Sequence, residues 1–256
     1  MARLLLLAMA LVLTPPAAPA EEAVVAGISQ DQISITANFD GSDLLIYGAV
    51  KREEPIPSDS ALDVIVTVEG PSTPINVRRK SRSFGIWVNT AGVEVDRAPS
   101  FYAVASTGDL IDILSQTEDL RRKISVPQMI RSVGAPQDIA DSPAFTEALI
   151  RIRRHNGLYS LRQGSVELEQ QTLFRTDIDL PANLVEGDYR TRIFLLRDRK
   201  VIASYETLID VRKVGLERWL YELAHQQPMI YGLLALFLAG LLGWMASAAF
   251  RLLRNG

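Results

Sequence analysis

The sequence of 256 residues lacks cysteine entirely and contains only two histidines. A chain without cysteine cannot form disulfides, thiol nucleophiles, iron–sulfur clusters or cysteine-based zinc sites. Its 27 basic and 30 acidic residues leave a formal net charge of −3, which disfavours nucleic-acid binding through general basicity. The composition therefore excludes groups held by cysteine and disfavours a nucleic-acid partner, and we predict no cofactor and no metal site.

The motifs of common catalytic sites are also missing from the sequence. It contains no nucleophile elbow, phosphate-binding loop, HExxH zinc motif or EF-hand loop. His155 follows a run of arginines at a predicted helix end, and His225 lies beside a predicted membrane span. Neither histidine has Asp or Ser partners that can be read from the sequence. We predict no catalytic residue and favour a non-enzymatic protein, although folding can assemble a site from distant residues.

One acidic pair has the spacing of a shared face. Asp177 and Asp179 alternate along a predicted strand, so their carboxylates point to the same side. Because no third ligand lies nearby in the sequence, an exposed polar face is favoured over a metal site.

Hydrophobic residues make up 48% of the chain and are concentrated at its two ends. At the N-terminus Arg3 precedes the apolar run 4–13, and the A-x-A triplet 18–20 precedes Glu21. A positive residue, a short apolar segment and small residues at the cleavage position are the three regions of a secretory signal peptide. We predict that residues 1–20 are a signal peptide that is removed after Ala20.

The C-terminal end contains a second apolar segment, residues 229–250, with 22 positions and no charge. As a helix this segment would be about 33 Å long, which is enough to cross the hydrocarbon core of a bilayer. Tyr231 near its start, and Arg251 and Arg254 after its end, are typical of the membrane interface. The segment is therefore predicted to be a transmembrane helix.

Together the two apolar segments predict a single-pass protein of the bacterial inner membrane. The positive-inside rule places the tail 251–256 in the cytoplasm, and the signal peptide sends residues 21–228 into the periplasm. Without Arg3, Arg251 and Arg254, 24 of the 27 basic residues remain outside against 30 acidic ones, a net charge of −6. The exported part is thus predicted to be acidic.

Helical spacing near the membrane predicts two further features. Residues 214–228 form an amphipathic juxtamembrane helix with Trp219 and Tyr221 at headgroup level, unless they are a core helix of the exported region. Within the span, small residues recur at every fourth position and lie on one helix face. They are Ala235, Ala239, Gly243 and Ser247. The stripe predicts packing against a second copy or another membrane protein; chance spacing in an Ala- and Gly-rich span is the alternative.

Between the ends the dominant hydrophobic period is two, which is typical of strands with one buried face. In residues 21–107, short alternating runs separated by turn residues predict an immunoglobulin-like β-sandwich, with residues 84–88 as one strand. Residues 108–158 predict a helical insertion with a loop at 125–141. Residues 159–213 return to alternation and form either a second β subdomain or the completion of the first. The predicted fold class is mainly β, with one C-terminal transmembrane helix.

A cationic cluster lies just before an apolar tetrapeptide in the first strand region. It consists of Arg78, Arg79, Lys80 and Arg82, and the tetrapeptide is Phe84-Gly85-Ile86-Trp87. Four cations in five positions could bind an anion, lipid headgroups or an acidic partner. The alternative is an edge strand that is protected from aggregation by its charges.

Four segments taken together resemble a known family. They are 44–52 (LLIYGAVKR), 84–89 (FGIWVN), 93–105 with its RAPSFY, and 210–228. With them the chain resembles the alphaproteobacterial transmembrane protein family from about residue 24 to residue 253. The resemblance implies a signal peptide, an exported domain and a C-terminal span, and it carries over no catalytic residue. It also implies permeases of the sulfite-exporter type as partners.

We therefore expect a non-enzymatic accessory or interaction subunit whose outer β domain meets a periplasmic ligand or partner, as part of a transport system. Two other functions remain open from the sequence. One is a periplasmic anion-binding or ligand-binding sensor that uses the cationic cluster, and the other is a membrane-anchored hydrolase.

Overall fold

The computed structural model describes residues 22–36, 39–53, 55–56, 60–131 and 141–254, without the side chains of 216–219, 222 and 248–254. The signal peptide predicted for residues 1–20 lies outside this range. The described part is mainly β and ends in one long apolar helix, so the predicted fold class is confirmed in both respects.

The described residues form twelve strands and six helices. The strands are β1 (Ala23–Ile28), β2 (Gln32–Ile35), β3 (Gly41–Lys51), β4 (Asp63–Glu69), β5 (Ser72–Ser83), β6 (Ile86–Pro99), β7 (Tyr102–Ser106), β8 (Tyr159–Gln163), β9 (Glu167–Glu169), β10 (Leu173–Pro181), β11 (Gly187–Arg197) and β12 (Lys200–Lys213). The helices are α1 (Leu110–Ile113), α2 (Gln116–Arg122), α3 (Val126–Met129), α4 (Ser142–His155), α5 (Leu216–Gln226) and α6 (Pro228–Arg254).

The strands form two sheets and a separate hairpin. The outer sheet has the order β1-β3-β10-β9, and the middle sheet has the order β2-β12-β11-β4-β7-β8. The pairs β2/β12 and β7/β8 are parallel, and the other strand pairs are antiparallel. Strands β5 and β6 pair only with each other in the described part. Strands before and after the helical segment share both sheets, because β10 pairs with β3 and β11 pairs with β4.

The outer and middle sheets pack face to face through one apolar core. The outer sheet contributes Leu44, Ile46, Phe174 and Ile178, and the middle sheet contributes Val64, Val66, Ile193, Leu195 and Ile209. Alternation of side chains along each strand directs these residues to a common side. The two sheets therefore form a sandwich.

A second core covers the opposite face of the middle sheet. Ile65, Tyr102 and Phe194 point away from the outer sheet and pack against helices α1, α3 and α4 and the base of the β5–β6 hairpin. As a result all residues of β7 and all but the first of β4 are buried. Burial on both faces explains why β4 is an almost continuous apolar run rather than an alternating one.

Arg192 connects the middle sheet to α2, one of the four helices α1 to α4, which we call the helical layer. Its guanidinium donates hydrogen bonds to the carbonyl oxygens of Arg122, at 2.8 Å, and Lys123, at 3.0 Å. These carbonyls lie at the C-terminus of α2, where a cation is favoured by the helix dipole. The Tyr102 hydroxyl donates to the carbonyl of Ile124 at 2.6 Å, and burial holds the pKa of this tyrosine well above its usual value.

Two predicted elements differ from the structure, and one strand was not predicted. Phe84 and Gly85 form the turn of the β5–β6 hairpin, so the strand predicted for residues 84–88 begins only at Ile86. The predicted loop 125–141 contains helix α3, while residues 132–140 lie outside the described part. Strand β1 has no counterpart in the prediction, because its alternation is interrupted by small residues at Ala26 and Gly27.

A buried ion-pair network, which we call the Glu22 clamp, joins Glu22 to Arg52 and Arg197. The carboxylate lies 2.7 Å from Arg52 Nε and 2.9 Å from the Arg197 guanidinium, and the three side chains are largely buried. Arg52 also donates to the Thr172 hydroxyl, and Arg197 donates to the Ser60 carbonyl at 2.6 Å. The clamp thus connects the residue before β1 to the ends of β3 and β11.

Two opposing effects act on the pKa of Glu22. Burial raises it, but hydrogen bonds and charge from Arg197 and Arg52 outweigh burial and hold the pKa below the ordinary value of 4.5. A carboxyl whose pKa is lowered by folding stabilises the folded state above its unfolded pKa. That contribution is lost as the pH falls through the folded pKa.

We expect Glu22→Gln to lower the free energy of unfolding by about 2 kcal/mol near neutral pH, because it leaves two buried guanidinium groups without their carboxylate. The loss should shrink as the pH falls below the folded pKa, where the wild-type carboxyl is neutral as well. Thermal unfolding of the detergent-solubilised full chain, followed by circular dichroism, measures both.

The matched control is Glu53→Gln, which makes the same change at an exposed carboxyl next to Arg52. It should leave the unfolding temperature unchanged. Equal unfolding temperatures of the Glu22→Gln and Glu53→Gln variants would show that the Glu22 clamp does not stabilise the fold.

Candidate functional site

The β5–β6 hairpin carries the cationic cluster and has a buried base and a free tip. Near its base, Val77, Val93 and Val95 are buried in the second core. Beyond this point the strands continue in register to the pair Ser83–Ile86, with one irregularity between Arg79 and Lys80. The hairpin is therefore anchored at one end by apolar packing, while its other end projects from the helical layer.

The register divides the four cations between the two faces of the hairpin. Arg78, Lys80 and Arg82 alternate along β5 and so share one face, on which Arg82 lies directly opposite Trp87. Arg79 belongs to the other face, where its guanidinium is 2.5 Å from the Asp141 carboxylate and lies over the Phe145 ring at 4.6 Å. Arg79 thus binds α4, and the other three cations lie side by side in an exposed row.

The turn at the hairpin tip has an unusual residue. Phe84 and Gly85 are its two central residues, with φ of 48° and 86°, as in the type I′ turns that favour Asn-Gly. A bulky residue with positive φ is conformationally costly. The Phe84 side chain recovers none of this cost by packing, because it is fully exposed.

Two further apolar side chains lie next to the tip. Ile86 is 64% exposed and Trp87 is 68% exposed. Residues 78–92 contain four cations and no carboxylate. The structure thus brings a row of cations together with exposed aromatic and aliphatic side chains. The sequence showed only that the two motifs are neighbours along the chain.

The predicted packing stripe lies on helix α6. Ala235, Ala239, Gly243 and Ser247 follow one another at four-residue intervals in an unbroken helix. The apolar stretch Pro228–Ser247 has a mean hydropathy of 2.0, and none of it is buried in the protein. A helix of this length and composition can span a membrane.

The predicted interface residues lie on α5 and α6. Tyr221 is 64% exposed and stacks on His225 with ring centroids 4.0 Å apart, and Tyr231 is 41% exposed near the start of α6. Trp219 lies within α5, and Arg251 and Arg254 lie at the end of α6, but their side chains are outside the described part.

The other polar residues considered from the sequence, the Asp177–Asp179 pair and His155, do not form a site with one another. Arg162 donates to both carboxylate oxygens of Asp179, at 3.2 and 2.6 Å, so the Asp177–Asp179 face is already neutralised in part. His155 is exposed in the last turn of α4. In the part of the chain that the structure describes, no three His, Asp or Glu residues form a group that could hold a metal ion.

The sequence did not predict an apolar groove on the exposed face of the outer sheet. It has a volume of about 590 Å³, and Val25, Tyr47 and Leu173 line it with their exposed side chains. The Tyr47 ring lies over Gly27, where a Cβ atom would be 2.9 Å from the ring. The alternation of β3 indicates that Tyr47 faces outward. The groove itself could not be predicted, because β1, which forms part of its lining, was not predicted as a strand.

Comparisons with known proteins give one family. Residues 23–252 match the family described as "Putative transmembrane protein (Alph_Pro_TM)", and the chain belongs to that family. It is a transmembrane protein with a β-rich domain and one C-terminal apolar helix. No curated protein matches it.

Among solved structures, the chain is similar to the sporulation control protein Spo0M of Bacillus subtilis, with 9% sequence identity and a TM-score of 0.28. The similarity covers 76% of this chain, which spans half the length of Spo0M (50%).

We expect Phe84→Asn to raise the free energy of unfolding by up to about 1 kcal/mol, because asparagine adopts positive φ more readily and no packing is lost. Thermal unfolding of the detergent-solubilised full chain measures this effect. Phe145→Asn is the contrasting control, since Phe145 is buried and its replacement should cost about 3 kcal/mol. A destabilised Phe84→Asn variant would show that Phe84 has a packing role.

Proposed function

We propose that this protein is a single-pass subunit of the bacterial inner membrane that acts through non-enzymatic interactions. Helix α6 anchors it, its β domain lies in the periplasm, and its C-terminal tail lies in the cytoplasm. The observation that carries the proposal is the stripe of small residues along one side of an apolar helix that carries Phe237 and Leu241 on the opposite side.

The two faces of α6 differ in size. Ala239 and Gly243 occupy one side of the helix. Because each residue turns the helix by about 100°, Phe237 and Leu241, two positions earlier, point to the opposite side. In a membrane, small residues allow two helix backbones to approach closely, and the gain comes from van der Waals packing rather than from the hydrophobic effect. This asymmetry supports packing of the small face against another transmembrane helix.

Charge supports the proposed orientation. Arg251 and Arg254 follow the apolar stretch directly, as expected for a cytoplasmic flank. The acidic excess of the preceding domain is consistent with export, because acidic residues contribute little to the orientation rule. The signal peptide predicted at residues 1–20 gives the same orientation.

The partner of the small face is either a second copy of the chain or a larger membrane protein. The family resemblance favours a permease of the sulfite-exporter type, for which this chain would be an accessory subunit. In either case the β domain is carried to a fixed place next to the partner, because only Val214 and Gly215 separate β12 from α5 and only Gln227 separates α5 from α6.

Photo-crosslinking in native membranes tests the proposal, with a photoreactive residue in place of Leu242, which borders the small face, and mass spectrometry of the products. We expect a discrete crosslinked species, either a dimer or a complex with one membrane protein. Gly243→Leu should reduce the yield of the crosslinked species about fivefold. A bulky side chain keeps the two helices apart and weakens their association by about 1 kcal/mol.

Leu241→Phe is the matched control, since it enlarges a side chain on the opposite face of the same helix. It should leave the yield unchanged. A chain that gives only uncrosslinked monomer, or equal yields for the two variants, would contradict a packing role for the small face.

A further inference from the structure

We propose that the tip of the β5–β6 hairpin binds the anionic surface of the membrane in which α6 is anchored. The cationic row contacts lipid phosphates, and the apolar tip enters the headgroup region. The cationic row is Arg78, Lys80 and Arg82, and the apolar tip is Phe84, Ile86 and Trp87.

The hairpin combines charge and apolar surface on one small element. The three cations share a face, and Trp87 lies on that face opposite Arg82. Cations attracted to phosphates and a tryptophan at headgroup depth are the two components of interfacial membrane binding. Residues 78–92 contain no carboxylate that would oppose this attraction.

The turn of the hairpin is exposed and has an unusual conformation. Phe84 has a φ of 48° and is fully exposed, and no side chain of the described residues covers it. An isolated exposed apolar residue is ordinary, but three within four positions at the end of a projecting hairpin are not. Because Phe84 does not stabilise the fold, its side chain is available for a contact outside the protein.

The connection between the β domain and the span is short. Helix α5 has 11 residues and is the only element between the β domain and the predicted span. Its length of about 16 Å limits the distance between the end of β12 and the start of α6. The domain therefore experiences a high effective concentration of lipid, and modest attraction is sufficient for binding.

The hairpin is cationic, whereas the exported domain as a whole is predicted to be acidic. The exported part is predicted to be acidic overall, with a net charge of −6, so most of its surface should be repelled by an anionic bilayer. The cationic row provides a local exception. An attraction limited to this element would orient the domain on the membrane as well as hold it there.

Fluorescence of Trp87 tests the proposal directly. The chain contains three tryptophans, so Trp219→Phe with Trp244→Phe leaves Trp87 as the single reporter. The full chain is placed in lipid nanodiscs that contain acyl-brominated lipid. One set is made of phosphatidylcholine alone and the other includes phosphatidylglycerol.

We expect brominated lipid to quench Trp87 strongly and to shift its emission to the blue in discs with phosphatidylglycerol. Quenching should be at least twofold weaker in phosphatidylcholine, and it should decrease as salt is added, because salt screens exposed charges. Arg78→Gln, Lys80→Gln and Arg82→Gln combined should abolish the difference between the two lipids. Phe84→Ser should reduce quenching in both.

The matched control is Arg151→Gln with Arg154→Gln, which removes two exposed cations from α4 and should leave quenching unchanged. An emission that is unquenched in anionic discs and accessible to aqueous iodide would overturn the proposal and direct the search to an acidic protein partner. Equal loss of quenching in the α4 control would also contradict it.

A second measurement does not depend on the tryptophan substitutions. The natural chain has no cysteine, so Ser83→Cys provides a single site for a nitroxide label. Its accessibility to oxygen should exceed that to a water-soluble nickel chelate in anionic discs. The reverse order would show that the tip remains in water.

Discussion

Burial of the central strands β4 and β7 of the middle sheet on both faces is the constraint on which the other parts of the β domain depend. One face packs against the outer sheet, and the other packs against the helices and the base of the β5–β6 hairpin. The alternating residues Val64 and Ile65 therefore belong to different cores. A polar change at either position would disturb the core that this residue shares with the neighbouring layer. Arg192 adds polar contacts between the middle sheet and α2, and the Glu22 clamp joins the ends of β3 and β11.

The same constraint explains the division of the hairpin into two parts. Its base completes a core, so Val77 and Val93 have to be apolar and their position is set. The strands extend well beyond that core, and nothing in the middle sheet requires Arg82, Phe84 or Trp87. Residues that a fold does not need and that carry a conformational cost indicate a contact outside the fold. With α6 in the membrane, a lipid surface is the contact that we propose for this tip.

Local patterns in the sequence predicted the features that depend on local chemistry. The apolar, uncharged stretch ending at Phe250 indicated the span, and strict alternation indicated β10, β11 and β12. What could not be predicted depends on pairing between distant residues. The split of the cationic cluster requires knowledge of the register at Arg79 and of its partner Asp141, which lies 62 positions away.

Hydrogen–deuterium exchange on the full chain in nanodiscs tests most directly the claim that the hairpin has a base fixed by the middle sheet and a tip free for lipid. We expect the slowest exchange at residues 64–68, 103–105 and 193–196. Residues 80–90 should exchange fast in phosphatidylcholine and be protected when phosphatidylglycerol is present. Exchange at 80–90 that is as slow as in the middle sheet in both lipids, or fast in both, would contradict the account.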